Sequence, residues 1–246
     1  MIAIVLVGGK YATLSDSYPE LPLALVPVAG QPIVYWLTQW LKQQGVNHIV
    51  FSAGYGADKI TAWAHQMTSQ QKDLFIDVLA ESRPLGTAGA VALCAKRYPS
   101  SHYLVTNGNS LLPVNLKPAF QQLKKSNLDG IILGTRIANA GRFGSLECNT
   151  QKQLTAFYEK QSGKGLVNAG IYLLKNHLLN DINPDKESSL EYEWFPKWLS
   201  AGKQFLVSET SAPFIDLGTT EAIKQAYDLI DHYQEEITGE NLAAVS

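Results

Sequence analysis

The residues of this 246-residue chain that could do chemistry fall in a few short stretches. The first is Gly8-Gly9, which closes the apolar run Ile2-Ala3-Ile4-Val5-Leu6-Val7. Glycines at a strand end let the backbone turn tightly and approach a ligand closely, although a plain strand-to-loop turn explains the pair as well. Lys10 follows, the sole basic side chain among residues 1–41, and is either an anion partner or a solvated loop lysine. Glu81 opens the stretch Glu81-Ser82-Arg83-Pro84-Leu85-Gly86-Thr87-Ala88-Gly89-Ala90. There Gly86 and Gly89 leave room for a planar ring against the backbone, and a helix starting near Thr87 offers N–H donors. Asn107-Gly108-Asn109-Ser110 is a polar turn, Glu159-Lys160 a charge pair after a strand, and Asn168 and Gly170 lie in a further strand. Asp216 puts a carboxylate at a strand end just before a helix, where a helix-entry role is the ordinary alternative.

The elements that must position these residues follow from hydrophobic periodicity. Continuous apolar runs predict buried strands over 2–7, 48–53, 74–80 and 102–106. Helical spacing of Ile33, Trp36, Leu37, Trp40 and Leu41 predicts a helix over 32–44, ended by Gly45. Shorter helices are expected over 58–67 and 88–96, the second capped by Thr87. This alternation is that of βαβ units. The pattern loosens after residue 110: a helix over 117–125, strands over 130–135, 144–148, 153–158 and 167–174, and a last strand ending at 214–218. Ser188-Ser189-Leu190-Glu191 reads as a capping box opening a helix through Leu199, with Pro196 kinking it or shifting its start. Thr219 caps the final helix, and 238–246 is expected to be a frayed tail. The fold class expected is α/β, a Rossmann-like, mainly parallel sheet with a small β-rich lid from about 135 to 200, all in a single domain over 1–246.

Composition bounds the function. Hydrophobic residues make up 46% of the chain and charged ones 17%, which fits a globular protein. The net charge of −2 argues against a dedicated nucleic-acid binder. No apolar run is long enough to span a bilayer, the opening run lacks the marks of a signal peptide, and a cytoplasmic location is expected. Cys94 and Cys148 make neither a metal spacing nor a disulfide framework.

The motifs themselves resemble a known family. Val7-Gly8-Gly9, Leu14 and Leu21-Pro22-Leu23-Ala24-Leu25-Val26-Pro27-Val28-Ala29-Gly30-Gln31-Pro32 are similar to the opening of the sugar-1-phosphate nucleotidyltransferases, A-G-G-x-G-T-R-L followed by P-K-P-L-x-P-V-x-G-x-P. Glu81 to Ala90 resembles E-x-x-P-L-G-T-x-G-A, which frames the nucleotide base, so the resemblance puts Glu81, Leu85, Gly86 and Thr87 beside the base. Asn107-Gly108-Asn109-Ser110 resembles N-G-D-[ST], and Phe214-Ile215-Asp216-Leu217-Gly218-Thr219 resembles F-I-D-[IVL]-G-[TS]. The resemblance implies a magnesium site at Asp216, weakened by Asn109 where the family has aspartate. Arg142-Phe143-Gly144, Tyr158-Glu159-Lys160 and Asn168-Ala169-Gly170-Ile171-Tyr172 resemble R-[YF]-G, x-E-K and N-[AG]-G-[IVL]-Y. They imply Lys160 on the sugar phosphate, with Glu159 and Asn168 on its hydroxyls and Gly144 and Gly170 in the same wall. Ser189-Leu190-Glu191 is similar to the S-x-E of heptose and mannose 1-phosphate guanylyltransferase-like members.

The resemblance implies joining a nucleoside triphosphate to a sugar 1-phosphate with release of pyrophosphate, for nucleotide-sugar and polysaccharide supply. Lys10 and the backbone of Val7, Gly8, Gly9 and Gly108 would face the nucleotide. The chain departs from the pattern at Tyr11 for the third glycine, Thr13 for the arginine, Leu23 for the lysine and Asn109 for the first metal aspartate. Losing one preorganised charge contact costs roughly 10²–10³ in rate. The alternative is therefore a degenerate homologue that binds a ligand, or that regulates or scaffolds an active homologue. A homo-oligomer or pairing with such a homologue is expected.

Overall fold

Strand β1 (Ile2–Leu6) is the spine of the molecule, with Ala3, Ile4 and Val5 fully buried. A computed structural model of the chain describes residues 1–9, 18, 20–137, 141, 143–158 and 165–239. β1 pairs in parallel with β4 (His48–Ala53) on one side and β6 (His102–Asn107) on the other, and β5 (Phe75–Ala80) extends the parallel set beyond β4. The chain thus builds β1, β4 and β5 outward in one direction, then returns to add β6 on the far side of β1. That reversal is a topological switch point, and it opens a crevice at the carboxyl ends of β1 and β6.

The sheet continues past β6. β11 (Gly165–Lys175) runs antiparallel to β6 and to β8 (Gly130–Ile137), and β12 (Phe205–Thr210) adds in parallel to β8. The β-rich segment expected as a lid is the hairpin of β9 (Ser145–Cys148) and β10 (Leu154–Tyr158), joined to β11 through Val167. The lid is therefore an antiparallel extension of the main sheet. β12 falls where the sequence predicts no strand. Two short antiparallel ladders lie apart: β2 (Pro27–Val28) with β3 (Gln31–Pro32), and β7 (Ser110–Leu111) with β13 (Ile215–Asp216).

Period-two alternation sends successive strand residues to opposite cores. Ala3, Val5, Ile49, Phe51 and Leu104 join helix α1 (Ile33–Gln43) and helix α6 (Thr220–His232) in one core. Ile4, Val50, Tyr103 and Val105 join helix α3 (Gly86–Arg97) and helix α5 (Phe195–Ser200) in the other. Helices α2 (Ala57–Gln70), α4 (Lys117–Lys125) and α7 (Gln234–Thr238) complete the layers. Gly45 ends α1 at φ +81°, and Thr219 caps α6 by accepting from the Ala222 N–H, both as the sequence predicts.

Two expected helix starts differ. Thr87 does not cap α3; the helix begins at Gly86, and the Thr87 hydroxyl turns to a distant segment instead. Residues 190–194 form a π turn (Leu190–Trp194) that runs into α5. The reciprocal cap is Ser189 with Glu193: the Ser189 hydroxyl accepts from the Glu191 and Tyr192 N–H groups, and the Ser189 N–H donates to Glu193 Oε1 at 2.9 Å. Pro196 falls in the first turn of α5, where its missing N–H costs nothing.

Phe195 is the hub of this second core. Fully buried, it stacks on Phe157 of the hairpin at 5.6 Å and meets Tyr172, Trp198 and Phe205 at 5.2, 5.4 and 5.3 Å between ring centres. Phe195→Ala is expected to lower the unfolding free energy by about 3–5 kcal/mol, measured by denaturant titration; a loss under about 1 kcal/mol would contradict the hub.

Candidate functional site

A cleft of about 1080 Å³ opens where β1, β5 and β6 end and β11 crosses them. Its floor is built from close backbone approaches. Gly8 lies against the Glu81 carboxylate and against Gly54: a Cβ on Gly8 would sit 2.9 Å from Glu81 Oε1, and one on Gly54 only 2.7 Å from the Gly8 carbonyl oxygen. Glu81 is itself braced, Oε1 accepting from the Ser52 hydroxyl at 2.8 Å and Oε2 from the Leu85 N–H at 3.3 Å. Cys94 lies behind this brace, where burial pushes its thiol up to about 12.

One wall is the start of α3 with the segment that covers it. Ala88 N–H donates to the Ser188 carbonyl at 3.0 Å, and Ser188 N–H to the Leu85 carbonyl at 3.0 Å. Cβ atoms on Gly86 and Gly89 would fall 2.3 Å from Ser188 O and 2.7 Å from Lys186 O. Gly86 lines the cleft, and a side chain at either glycine would collide with the 186–188 backbone. The Ala88 N–H, one of the donors at the start of this helix, is already spent on Ser188.

The opposite wall is β11. Its pairing with β8 slips between Asn168 and Tyr172, and Gly170 in that bulge has φ +67°, with Asn107 Nδ2 standing 2.3 Å from where its Cβ would be. Bulges re-aim side chains beside functional sites. Here Asn168, Ala169 and Gly170 reach the cleft, next to Gly144, whose carbonyl accepts from the Asn168 N–H at 2.8 Å. The two walls are joined through Glu191. Its Oε2 accepts from the Thr87 hydroxyl at 2.6 Å and the Ser189 hydroxyl at 2.9 Å, and its Oε1 from the Tyr172 hydroxyl at 2.9 Å. Burial, with the adjacent Glu191 charge, holds the Tyr172 phenol well above the usual tyrosine range, so it stays a donor.

At the third side, the β7–β13 ladder sets Asp216 opposite Ser110. Asp216 Oδ2 accepts from Asn109 Nδ2 and from the Ser110 hydroxyl, both at 3.1 Å. Among the described residues no cluster of three or more His, Cys, Asp or Glu side chains could hold a metal ion. One carboxylate with neutral oxygens suits magnesium only where substrate phosphates complete the shell.

The cleft thus brings together Gly8, Gly9, Glu81, Leu85, Gly86, Thr87, Asn109, Gly144, Asn168, Gly170 and Asp216 of the residues singled out in the sequence. Val7 and Gly108 are not among the residues that line it. Val7 is buried, and a Cβ on Gly108 would meet Val7 Cγ1 at 2.3 Å, so the two brace β1 against the turn after β6. Leu23 is 7% exposed and packs into the core of α1, away from the cleft lining. Lys10, Tyr11, Thr13, Arg142, Glu159 and Lys160 lie outside the described residues. Sequence reasoning left out Glu187, Glu191, Tyr192 and the aromatic patch of Phe143, Phe157 and Phe214, with Phe143 edge-on to Phe214 at 5.4 Å. The S-x-E motif was the one signal for Glu191. Among the described residues no helix is long and apolar enough to cross a membrane.

Residues 2–232 match the family model described as nucleotidyl transferase. The chain belongs to the nucleotidyl transferase family. This nucleotidyl transferase chain is 25% identical to the D-glycero-alpha-D-manno-heptose 1-phosphate guanylyltransferase of Aneurinibacillus thermoaerophilus, over 95% of its own length and 100% of that protein. Among solved structures it is similar to HddC from Yersinia pseudotuberculosis, with TM-score 0.79, 28% identity, and coverage of 92% and 98% of the two chains. A structure of HddC complexed with GMP-PN matches with TM-score 0.77 and 27% identity over 92% and 98%. The Rossmann-like, mainly parallel α/β fold expected from the sequence is the fold observed, and it matches the nucleotide-diphospho-sugar transferase fold.

The α3 wall of this nucleotidyl transferase makes a direct prediction. Gly86→Ala combines φ +65° with a carbonyl oxygen at 2.3 Å, so it must push residues 186–191 off α3. Thermal denaturation should show a loss of about 2 kcal/mol or more, with Gly202→Ala, which has open space at a similar φ, as the milder control. The two cysteines make a second. At pH 8 a thiol reagent should modify Cys148 in the folded protein and reach buried Cys94 only after unfolding; rapid labelling of both thiols would contradict the packing behind Glu81.

Proposed function

We propose that the cleft performs nucleotidyl transfer: a phosphate oxygen of a sugar 1-phosphate attacks the α-phosphorus of a nucleoside triphosphate, and pyrophosphate leaves. What supports this reading is that one cleft gathers Gly8, Gly9 and the start of α3, where the resemblance puts the nucleotide, with Asn168 and Gly170, where it puts the sugar phosphate. The relatives favour the GDP-heptose or GDP-mannose type, since they include a heptose 1-phosphate guanylyltransferase and a protein crystallised with GMP-PN.

In this reading Gly8 and Gly9 give the triphosphate a close backbone approach and Lys10 supplies charge. Leu85, Gly86 and Thr87 edge the base site, with Glu81 as their brace. Asn168 and Glu159 hold sugar hydroxyls, and Lys160 the sugar phosphate. Asp216 would hold Mg²⁺, with the Asn109 amide oxygen as a neutral second ligand. The ion would neutralise charge as pyrophosphate departs. The Ser110 hydroxyl, donating to Asp216, orders the turn that carries these groups. We place the protein in the cytoplasm, as a single domain over 1–246, acting as a homo-oligomer or beside an active homologue, and serving nucleotide-sugar supply.

A second reading, a degenerate homologue that binds ligands or regulates an active partner, is favoured by two observations. Asn109 offers Asp216 a donor where the family has a second carboxylate, and Leu23 sits in the core where the family has a lysine. Pyrophosphate release with guanosine triphosphate, magnesium and a panel of sugar 1-phosphates separates the two. Sustained turnover supports the enzyme, and no release despite saturable binding supports the second reading.

Asn109→Asp should sharpen the answer. It replaces the amide donor to Asp216 by a second carboxylate, so the variant should be less stable without a divalent ion. Magnesium alone should then raise its melting temperature more than it raises the parent's. An equal magnesium response in both proteins would contradict the placement of the metal at Asp216.

A further inference from the structure

Glu191 has no role in the scheme above, yet its carboxylate is where the hydrogen bonding of the cleft converges. A carboxylate only accepts, and a hydroxyl has one proton to give. Thr87, Ser189 and Tyr172 each spend that proton on Glu191. Each hydroxyl can then only accept from its other neighbours, and each does: Thr87 Oγ1 from the Leu190 N–H at 2.8 Å, Ser189 Oγ from the Glu191 and Tyr192 N–H groups, both at 3.2 Å, and Tyr172 Oη from Asn168 Nδ2 at 2.6 Å.

The last link has a consequence at the opposite wall. Because Tyr172 must accept, Asn168 must turn its amide nitrogen toward it. The amide oxygen then receives the Gly170 N–H at 3.0 Å. One acceptor, Tyr172, and one donor, the Gly170 N–H, therefore fix which way the Asn168 amide faces, and they leave one N–H and one carbonyl lone pair for a ligand. Glu191 lies on the nucleotide-side segment, and Asn168 on the polyol-side strand.

We infer that Glu191, acting through Tyr172, is a positioning residue: it fixes the direction of the Asn168 amide and ties the two walls of the cleft in one hydrogen-bonded chain. The ligand class is a polyol phosphate whose hydroxyls meet the remaining N–H and lone pair of Asn168. This ligand assignment rests on the proposed function; the hydrogen-bond direction does not.

Tyr172→Phe removes the acceptor for Asn168 while leaving the ring packed on Phe195. Glu191→Gln keeps the shape but puts a donor among three donors, so at least one hydroxyl must reverse. The first measurement needs no ligand. The side-chain amide protons of Asn168, assigned in isotope-labelled protein by their loss in Asn168→Asp, should be shifted and protected from exchange in the parent. Both properties should be lost in Tyr172→Phe and reduced in Glu191→Gln. An Asn168 amide signal unchanged in both variants overturns the inference.

The second measurement is titration with mannose 1-phosphate and, separately, guanosine triphosphate. Tyr172→Phe should weaken sugar phosphate binding about tenfold and leave nucleotide binding within about twofold. Glu191→Gln should weaken both. Equal weakening of both ligands by Tyr172→Phe would mark a structural role only and overturn the inference. If the parent binds neither ligand, the proposed function fails, and the Asn168 signal still decides the role of Glu191.

Discussion

The cleft depends on one close approach, in which the start of α3 lies against the backbone of residues 186–188. Ser188 O occupies the space a side chain at 86 would need, and Lys186 O the space of one at 89. The contact delivers Glu191 beside Thr87 and, across the cleft, beside Tyr172. Without it the nucleotide-side wall would lose its backing, and Asn168 would lose the partner that orients it. The aromatic core around Phe195 locks the same segment from below, since the π turn that carries Glu191 runs directly into α5. The geometry of the site and the stability of the second core are therefore two consequences of one packing arrangement.

Charge is the second theme. Among the described residues lining the cleft, four carry carboxylates, Glu81, Glu187, Glu191 and Asp216, and none is Lys or Arg. Asp216 accepts from Asn109 and Ser110, and two of the others are engaged internally as well: Glu81 by Ser52 and Leu85, and Glu191 by three hydroxyls. They act as braces, with their charge satisfied by donors. In the proposed reaction a triphosphate would draw on backbone dipoles, on a divalent ion held by Asp216, and on the charge of Lys10 and Lys160. Phosphoryl and nucleotidyl transfers are dominated by positioning and charge neutralisation. The question that decides the chemistry of this chain is how much of that neutralisation it retains.

Much of this was legible in the sequence, and the exceptions have physical causes. The parallel strands declare themselves because both faces are buried and the runs are apolar without break, as in Ile2–Leu6 and His48–Ala53. Asp216 and Asn168 were readable through the motifs around them. Strand Phe205–Thr210 was not, because only Phe205 and Val207 are buried and its pairing with β8 is purely tertiary. Thr87 has the residue type and place of a cap, but its hydroxyl is claimed by a residue 104 positions away. Ser188 and Glu191 have capping-box spacing, yet the π turn adds a residue per turn and shifts the reciprocal pair to Ser189 and Glu193. Gly86 and Gly89 were recognised as needed for close approach, but sequence alone does not say that the thing approaching is the chain's own backbone.

The central claim is that one cleft holds a nucleotide against α3 and a sugar phosphate against β11 at the same time. Calorimetric titration of mannose 1-phosphate into protein saturated with a non-hydrolysable guanosine triphosphate analogue and magnesium tests it most directly. The account predicts saturable binding of the sugar phosphate with one site per chain while the nucleotide stays bound. Displacement of the nucleotide by the sugar phosphate, or no sugar phosphate binding with or without nucleotide, would contradict it.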